Sequence, residues 1–171
     1  MVVTKHTKLP TEEELTVEEI NVSSPVLLAA AFQFGKYCEW QRNEYLLCKK
    51  EEDDPTACLN EGKAVTACGL EFLRKIKKHC RKEFEQYAHC IDFETANMQY
   101  YPCRKTQAVY DKCVLEKLNV ERPDMNYYAE MHVHDTNRPK KYREPPQFPD
   151  ALPGLKDDGT PLPPGRFGAR F

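Results

Sequence analysis

Eight cysteines carry most of the chemistry this chain could perform. They stand at positions 38, 48, 58, 68, 80, 90, 103 and 113, as four pairs with nine residues between the members of each. Thiolates can attack substrates, bind metal or be joined as disulfides, and spacing discriminates among these. Structural zinc sites separate their cysteines by about two to four residues, so that one turn presents both sulfurs to the ion, and gaps of nine do not do this. On a helix, residues ten apart lie roughly 15 Å along the axis but within about 80° of each other. They share a face yet cannot bond, because a disulfide needs Cα atoms about 4.4–6.8 Å apart. A second helix with the same spacing, laid antiparallel, brings outer cysteines together at one end and inner ones at the other. Of the many pairings that eight cysteines allow, helical geometry selects Cys38–Cys68, Cys48–Cys58, Cys80–Cys113 and Cys90–Cys103.

Other reactive side chains form no comparable pattern. His132 and His134 make an H-x-H pair, while His79 and His89 stand beside cysteines; such histidines near a surface are expected to be solvated rather than metal-bound. The acidic runs Glu12–Glu14 and Glu51–Asp54 read as solvated faces, and Trp40 is expected to pack near the Cys38 end of its hairpin. No G-x-S-x-G, P-loop or G-x-G-x-x-G pattern occurs. The sequence therefore nominates no catalytic, cofactor-binding or metal residue, and enzymatic function has no support at the level of residues.

The elements that must position the cysteines are helices, and the predicted class is all-α. At 171 residues with 30% charged side chains, the chain suits two small units better than one large core, and small cores need staples. In the chain-entropy model a disulfide closing a loop of about 15 residues contributes roughly 3 kcal/mol. A net charge of -2 gives no electrostatic case for nucleic acid or for an anionic membrane surface. The longest apolar stretch, Val26 to Phe32, is far short of the roughly 20 residues that span a bilayer, so a soluble or peripheral protein is expected. Four disulfides imply an oxidising compartment. The acidic start and a first arginine at Arg42 fit neither a secretory signal nor a cleavable mitochondrial presequence.

Along the chain, Thr11 and Glu14 suggest a capping box, and Leu15–Val22 reads as extended within an arm over residues 1–23. Ser24 before Pro25 reads as a helix cap, with Gly35 expected to bend the helix. Phe34, Tyr37, Cys38, Gln41, Tyr45 and Cys48 then keep one face. After a charged turn from Lys49 to Pro55, the second arm repeats the stripe with Cys58, Gly62, Val65, Cys68, Gly69 and Phe72; its glycines are expected to let helices approach closely. Between Leu70 and Tyr101 there is neither glycine nor proline, so no break can be placed there. The basic stretch from Arg74 to Lys82 is expected to be a solvated face in preference to a docking patch for an acidic partner. Ile76, Cys80, Phe84, Tyr87, Cys90 and Ile91 mark a third arm, and Gln107, Tyr110, Cys113 and Val114 a fourth, limited by Pro123. The organisation expected is an arm with the start of the first helix at 1–31, hairpins at 32–75 and 76–118, and an extended Pro-rich tail at 119–171. That tail holds nine of thirteen prolines and is expected to order on a partner, with Tyr127, Tyr128, Tyr142, Phe148, Phe167 and Phe171 as anchors.

Paired C-x9-C motifs on helical hairpins resemble the coiled-coil-helix-coiled-coil-helix (CHCH) family, whose members enter the mitochondrial intermembrane space without a cleaved presequence and are trapped by oxidative folding. The chain departs from the family's oxidoreductases, since Pro102 before Cys103 is the sole proline beside a cysteine and forms no C-P-C, and from its copper chaperones, since no extra cysteine remains. The segments S-S-P-V-L-L-A-A-A (23–31), E-E-D-D-P-T-A-C-L-N-E-G-K (51–63) and C-V-L-E-K-L (113–118) are similar to the double-CHCH accessory subunits of respiratory complex I (NADH:ubiquinone oxidoreductase). The resemblance implies a non-catalytic structural or assembly role, without cofactor or metal, peripheral on the inner membrane at the intermembrane-space face of the membrane arm. Its implied partners are other complex I subunits and, during import, the intermembrane-space disulfide relay. Two alternatives stay open: a soluble assembly factor for a respiratory complex, and a thiol oxidoreductase or metal chaperone.

Overall fold

The structure, a computed structural model, describes residues 9–52, 54–139, 144 and 147. Residues up to Arg138 form one unit and those from Pro139 another; Tyr142, Phe148, Phe167 and Phe171 lie outside the described residues. Secondary structure in the first unit is helical, with no strand among the described residues.

A short helix α1 (Glu12–Leu15) opens the described chain. Thr11 and Glu14 close the capping box, each side chain accepting from the other's backbone N–H. Residues up to Ser23 then run without helix to α2 (Ser24–Tyr37). The cap position falls on Ser23 rather than the expected Ser24. Proline at the second helical position is tolerated as well as at the first, because the amides of the first turn have no intrahelical acceptor in any case.

Helix α2 passes through Gly35 without interruption and breaks at Cys38, before α3 (Glu39–Glu52) begins. A single 3-10 turn, Pro55–Cys58, is capped by Asp54, whose carboxylate accepts from the Thr56 N–H. Helix α4 (Leu59–His79) follows, and the break that the sequence leaves unplaced falls at Cys80, ahead of α5 (Arg81–Phe93). A 3-10 turn at Tyr101–Cys103 leads into α6 (Arg104–Leu118).

The first and third cysteine of each hairpin share one backbone state. Cys38, Cys58, Cys80 and Cys103 have ψ between 21° and 30°, against about -42° in a regular helix. Each therefore sits at a helix junction where the chain changes direction. The turn-to-turn hydrogen bonds nevertheless survive, as Arg42 N donates to Cys38 O and Phe84 N to Cys80 O, both at 3.0 Å.

Packing is unequal between the hairpins. Helices α5 and α6 bury Phe84, Tyr87, Ile91, Tyr110 and Val114, and the end of α4 adds Phe72 and Ile76. Tyr87 stacks on Tyr110 with centroids 5.8 Å apart, and Phe84 meets the same ring at 5.2 Å. Helix α2 belongs to this core as well, contributing Ala29 and Ala30 and packing along α5. Helix α3, by contrast, buries only Glu44 and Cys48, so the first hairpin has almost no apolar seam of its own.

Two glycines of α4 have different meanings. A Cβ at Gly69 would stand 2.9 Å from the Phe34 ring and 3.3 Å from Ile20, whereas one at Gly62 would meet Tyr45 at 3.5 Å, an ordinary contact. Gly69→Ala should therefore destabilise the oxidised protein by about 1–3 kcal/mol through overpacking. Gly62→Ala should stabilise it by roughly 0.5–1 kcal/mol through helix propensity. Urea unfolding of the two variants under non-reducing conditions measures both signs.

Candidate functional site

The structure joins Cys38 to Cys68, Cys48 to Cys58, Cys80 to Cys113 and Cys90 to Cys103, with Cα atoms 6.0, 5.9, 5.9 and 5.9 Å apart. All eight cysteines are used and no thiol remains. Seven of them are buried, Cys113 being partly covered. The seven buried sulfurs are out of reach of an attacking thiolate, and the four bridges tie the helices together.

The surface these bridges organise is bound by a polar cluster that the sequence did not reveal. Asp111 on α6 accepts from Gln33 on α2, from Gln107 at 3.1 Å and from Arg122 at 3.4 Å. Arg104 donates to the Gln107 carboxamide oxygen at 2.8 Å, and the Arg122 guanidinium lies 4.2 Å over the Phe32 ring. One carboxylate thus ties α2, α6 and the chain beyond α6 into a single knot. Next to it, burial raises the pKa of the Tyr87 and Tyr110 hydroxyls above the ordinary phenol value. Gln107 and Tyr110 were legible from the stripe, whereas Gln33, Asp111 and Arg122 have no distinguishing pattern in the sequence.

Beyond α6 the chain reverses at Asn119, which takes the left-handed conformation with φ 53°, a state Asn tolerates better than most residues. Val120 drops into the core. Residues 120–138 then run as a strap over α2 and α3, and Tyr127 and Tyr128, two of the expected anchors, dock on their own chain. Tyr128 donates to Phe32 O at 2.9 Å, and its hydroxyl lies 2.6 Å from where a Cβ on Gly35 would stand. Gly35, expected to bend α2, instead opens the space for this ring. Tyr127 donates to Glu39 at 2.8 Å, and Lys36 reaches the same carboxylate at 2.8 Å. Burial raises the Glu39 pKa, but these two hydrogen bonds outweigh it and the net shift is downward.

The histidines and acids of this region also acquire roles. His132 contacts Tyr127 O and His134 contacts Glu44, each at 2.7 Å. No cluster able to hold a metal ion occurs among the described residues. Arg138 closes the strap against Glu51, Glu52 and Glu61 at 3.4, 3.9 and 3.7 Å. Glu51 and Glu52, expected on a solvated face, are therefore half-buried partners of the strap, because the chain folds back over them. Trp40, expected to pack near the Cys38 end of its hairpin, is instead 55% exposed and meets the His134 ring edge-on at 6.3 Å. In the basic stretch Arg74, Lys77, Lys78, His79, Arg81 and Lys82 are exposed and Lys75 is half-buried.

The strap should respond to acid through Glu44. Its hydrogen bond from His134 holds the carboxyl below the ordinary value of 4.5. A carboxyl lowered on folding stabilises the folded state above its ordinary pKa, and that contribution is lost as pH falls through the lowered value. Strap contacts should therefore hold at pH 5–7 and loosen below about 4.5. Amide protection factors at residues 130–138, corrected for the slower intrinsic exchange in acid, should fall there, and Glu44→Gln should lower them already at neutral pH. Tyr128→Ala should accelerate exchange across the same strap while leaving α5 and α6 protected.

No family model matches the chain. Over 108 residues it is 32% identical to the NADH-ubiquinone oxidoreductase 20.8 kDa subunit of Neurospora crassa, a match covering 62% of this chain and 58% of that relative. Over 90 residues it is 34% identical to NADH dehydrogenase (ubiquinone) 1 alpha subcomplex subunit 8-B of Arabidopsis thaliana, covering 53% of this chain and 83% of the relative. Subunit 8-A of the same plant matches at 34% over 90 residues and 82% of its length. The chain thus spans less than two thirds of the fungal relative and most of each plant one. On these matches the chain belongs to the family of NADH dehydrogenase (ubiquinone) 1 alpha subcomplex subunit 8.

Proposed function

We propose that this chain is a non-catalytic accessory subunit of mitochondrial respiratory complex I, bound peripherally at the intermembrane-space face of the membrane arm, where it helps assemble and stabilise that arm. The observation that carries the reading is the kinship with proteins named as subunits of NADH dehydrogenase (ubiquinone) across most of their length. Two features support it. Every cysteine is placed in a bridge, which suits an oxidising compartment and a rigid binding module. Among the described residues no helix is long and apolar enough to cross a membrane, which suits peripheral attachment.

The finer assignment is to the double-CHCH, 19 kDa PGIV-like type of accessory subunit. In it the segments 32–75 and 76–118 act as two stapled hairpins, folded by the intermembrane-space disulfide relay during import, and residues 119–171 act as a tail. Neighbouring complex I subunits are the partners, with no nucleic acid, metal or cofactor involved.

Native electrophoresis of mitochondrial membranes tests the reading. The chain should migrate with mature complex I, and Cys48→Ser or Cys58→Ser should lower both its import yield and the abundance of the complex. Migration apart from the mature complex would instead mark a soluble assembly factor. Unchanged import and unchanged complex levels in both cysteine variants would remove the scaffolding role.

A further inference from the structure

The N-terminal arm, the start of α2, the last turns of α4 and the first turns of α5 enclose an open groove of about 450 Å³. Its walls include Ile20, Val26, Leu73, Ile76 and Phe84. Nothing among the polar clusters, disulfides or strap contacts described above makes use of it. A recess of this size accommodates several apolar side chains, within the range of small-ligand pockets.

Charge at the rim identifies what could enter. Residues 71–85 hold six lysines and arginines against three glutamates, in a chain whose net charge is -2. Arg74 pairs with Glu18 at 2.5 Å, Lys75 with Glu71 at 2.7 Å and Arg81 with Glu85 at 2.6 Å. Lys77, which lines the groove, and the nearby Lys78 and Lys82 are exposed and have no carboxylate partner among the described residues. Lys77 thus puts positive charge without a carboxylate partner beside the apolar walls, with Lys78 next to it in the chain.

We propose that this groove docks a segment of a neighbouring polypeptide in which apolar side chains are flanked by carboxylates. The apolar residues fill the recess, and the acids meet Lys77 and Lys78 at its edge, where complementary charge steers encounter and fixes register. Residues 1–8 of the chain itself contain two lysines and no acid and suit the site poorly. A flat anionic bilayer would touch the lysines but leave the recessed walls unfilled. The proposal rests on the reading of this chain as a subunit of a larger assembly, and names one of the surfaces by which it is held.

The test uses the chain in its assembled complex. Asn21, an exposed residue lining the groove, is replaced by the photocrosslinker p-benzoylphenylalanine, and the cross-linked product is mapped by mass spectrometry. The expected product is a segment of another subunit with acidic residues beside apolar ones. Its yield should fall several-fold in the Lys77→Glu, Lys78→Glu double variant, whose exposed substitutions leave the core intact, and should fall likewise in high salt for the unaltered lysines. Cross-links to lipid, to a second copy, to the chain's own ends or to nothing would overturn the proposal, as would a yield indifferent to both charge reversal and salt. Native electrophoresis of the same sample separates the two claims. A chain missing from the complex sinks the subunit reading, whereas a chain in place without this cross-link sinks only the groove.

Discussion

An antiparallel helix pair whose α3 partner buries one glutamate and one cysteine cannot be held together by apolar burial. The Cys38–Cys68 and Cys48–Cys58 bridges must supply what the seam lacks, by restricting the unfolded chain rather than by adding contacts. The remaining features of the first hairpin follow from this. With its register fixed covalently, α3 is free to present polar side chains outward, and Glu39, Glu44 and Glu51 become the acceptors on which the strap is fastened. A hairpin held by burial would have had to spend those positions on leucine and isoleucine.

The second hairpin rests on both kinds of support. Its bridges, Cys80–Cys113 and Cys90–Cys103, enclose a true core of Phe84, Tyr87, Ile91, Tyr110 and Val114. Helix α2 lies against that core while running through Cys38 toward the first hairpin, so one continuous stretch of chain makes the two hairpins one unit. The Asp111 cluster sits where α2, α6 and the strap converge. Its burial would be costly if any partner were absent, which makes it a check on correct assembly of the three segments.

Much of this was legible in the sequence because cysteine spacing is a geometric constraint of long range. Ten-residue spacing on helices specified antiparallel hairpins, and the stripes around Ile76, Phe84, Tyr87 and Tyr110 named core residues that are buried in the structure. What the sequence hid depended on local backbone state or on distant pairing. The breaks at Cys38 and Cys80 carry no glycine or proline signal, since hydrogen bonds continue across them. Gly35 looked like a bend because its partner, Tyr128, is far along the chain. Glu51 and Glu52 looked solvated for the same reason, their partner Arg138 arriving only after the chain reverses at Asn119.

The proposed scaffold requires all eight cysteines to be closed in bridges. Disulfide mapping of the chain taken from the purified complex, alkylated before any reduction and then digested, measures this. Four linked peptide pairs are expected, Cys38 with Cys68, Cys48 with Cys58, Cys80 with Cys113 and Cys90 with Cys103, and no alkylated cysteine. Two or more alkylated cysteines, or a different set of partners, would contradict the scaffold.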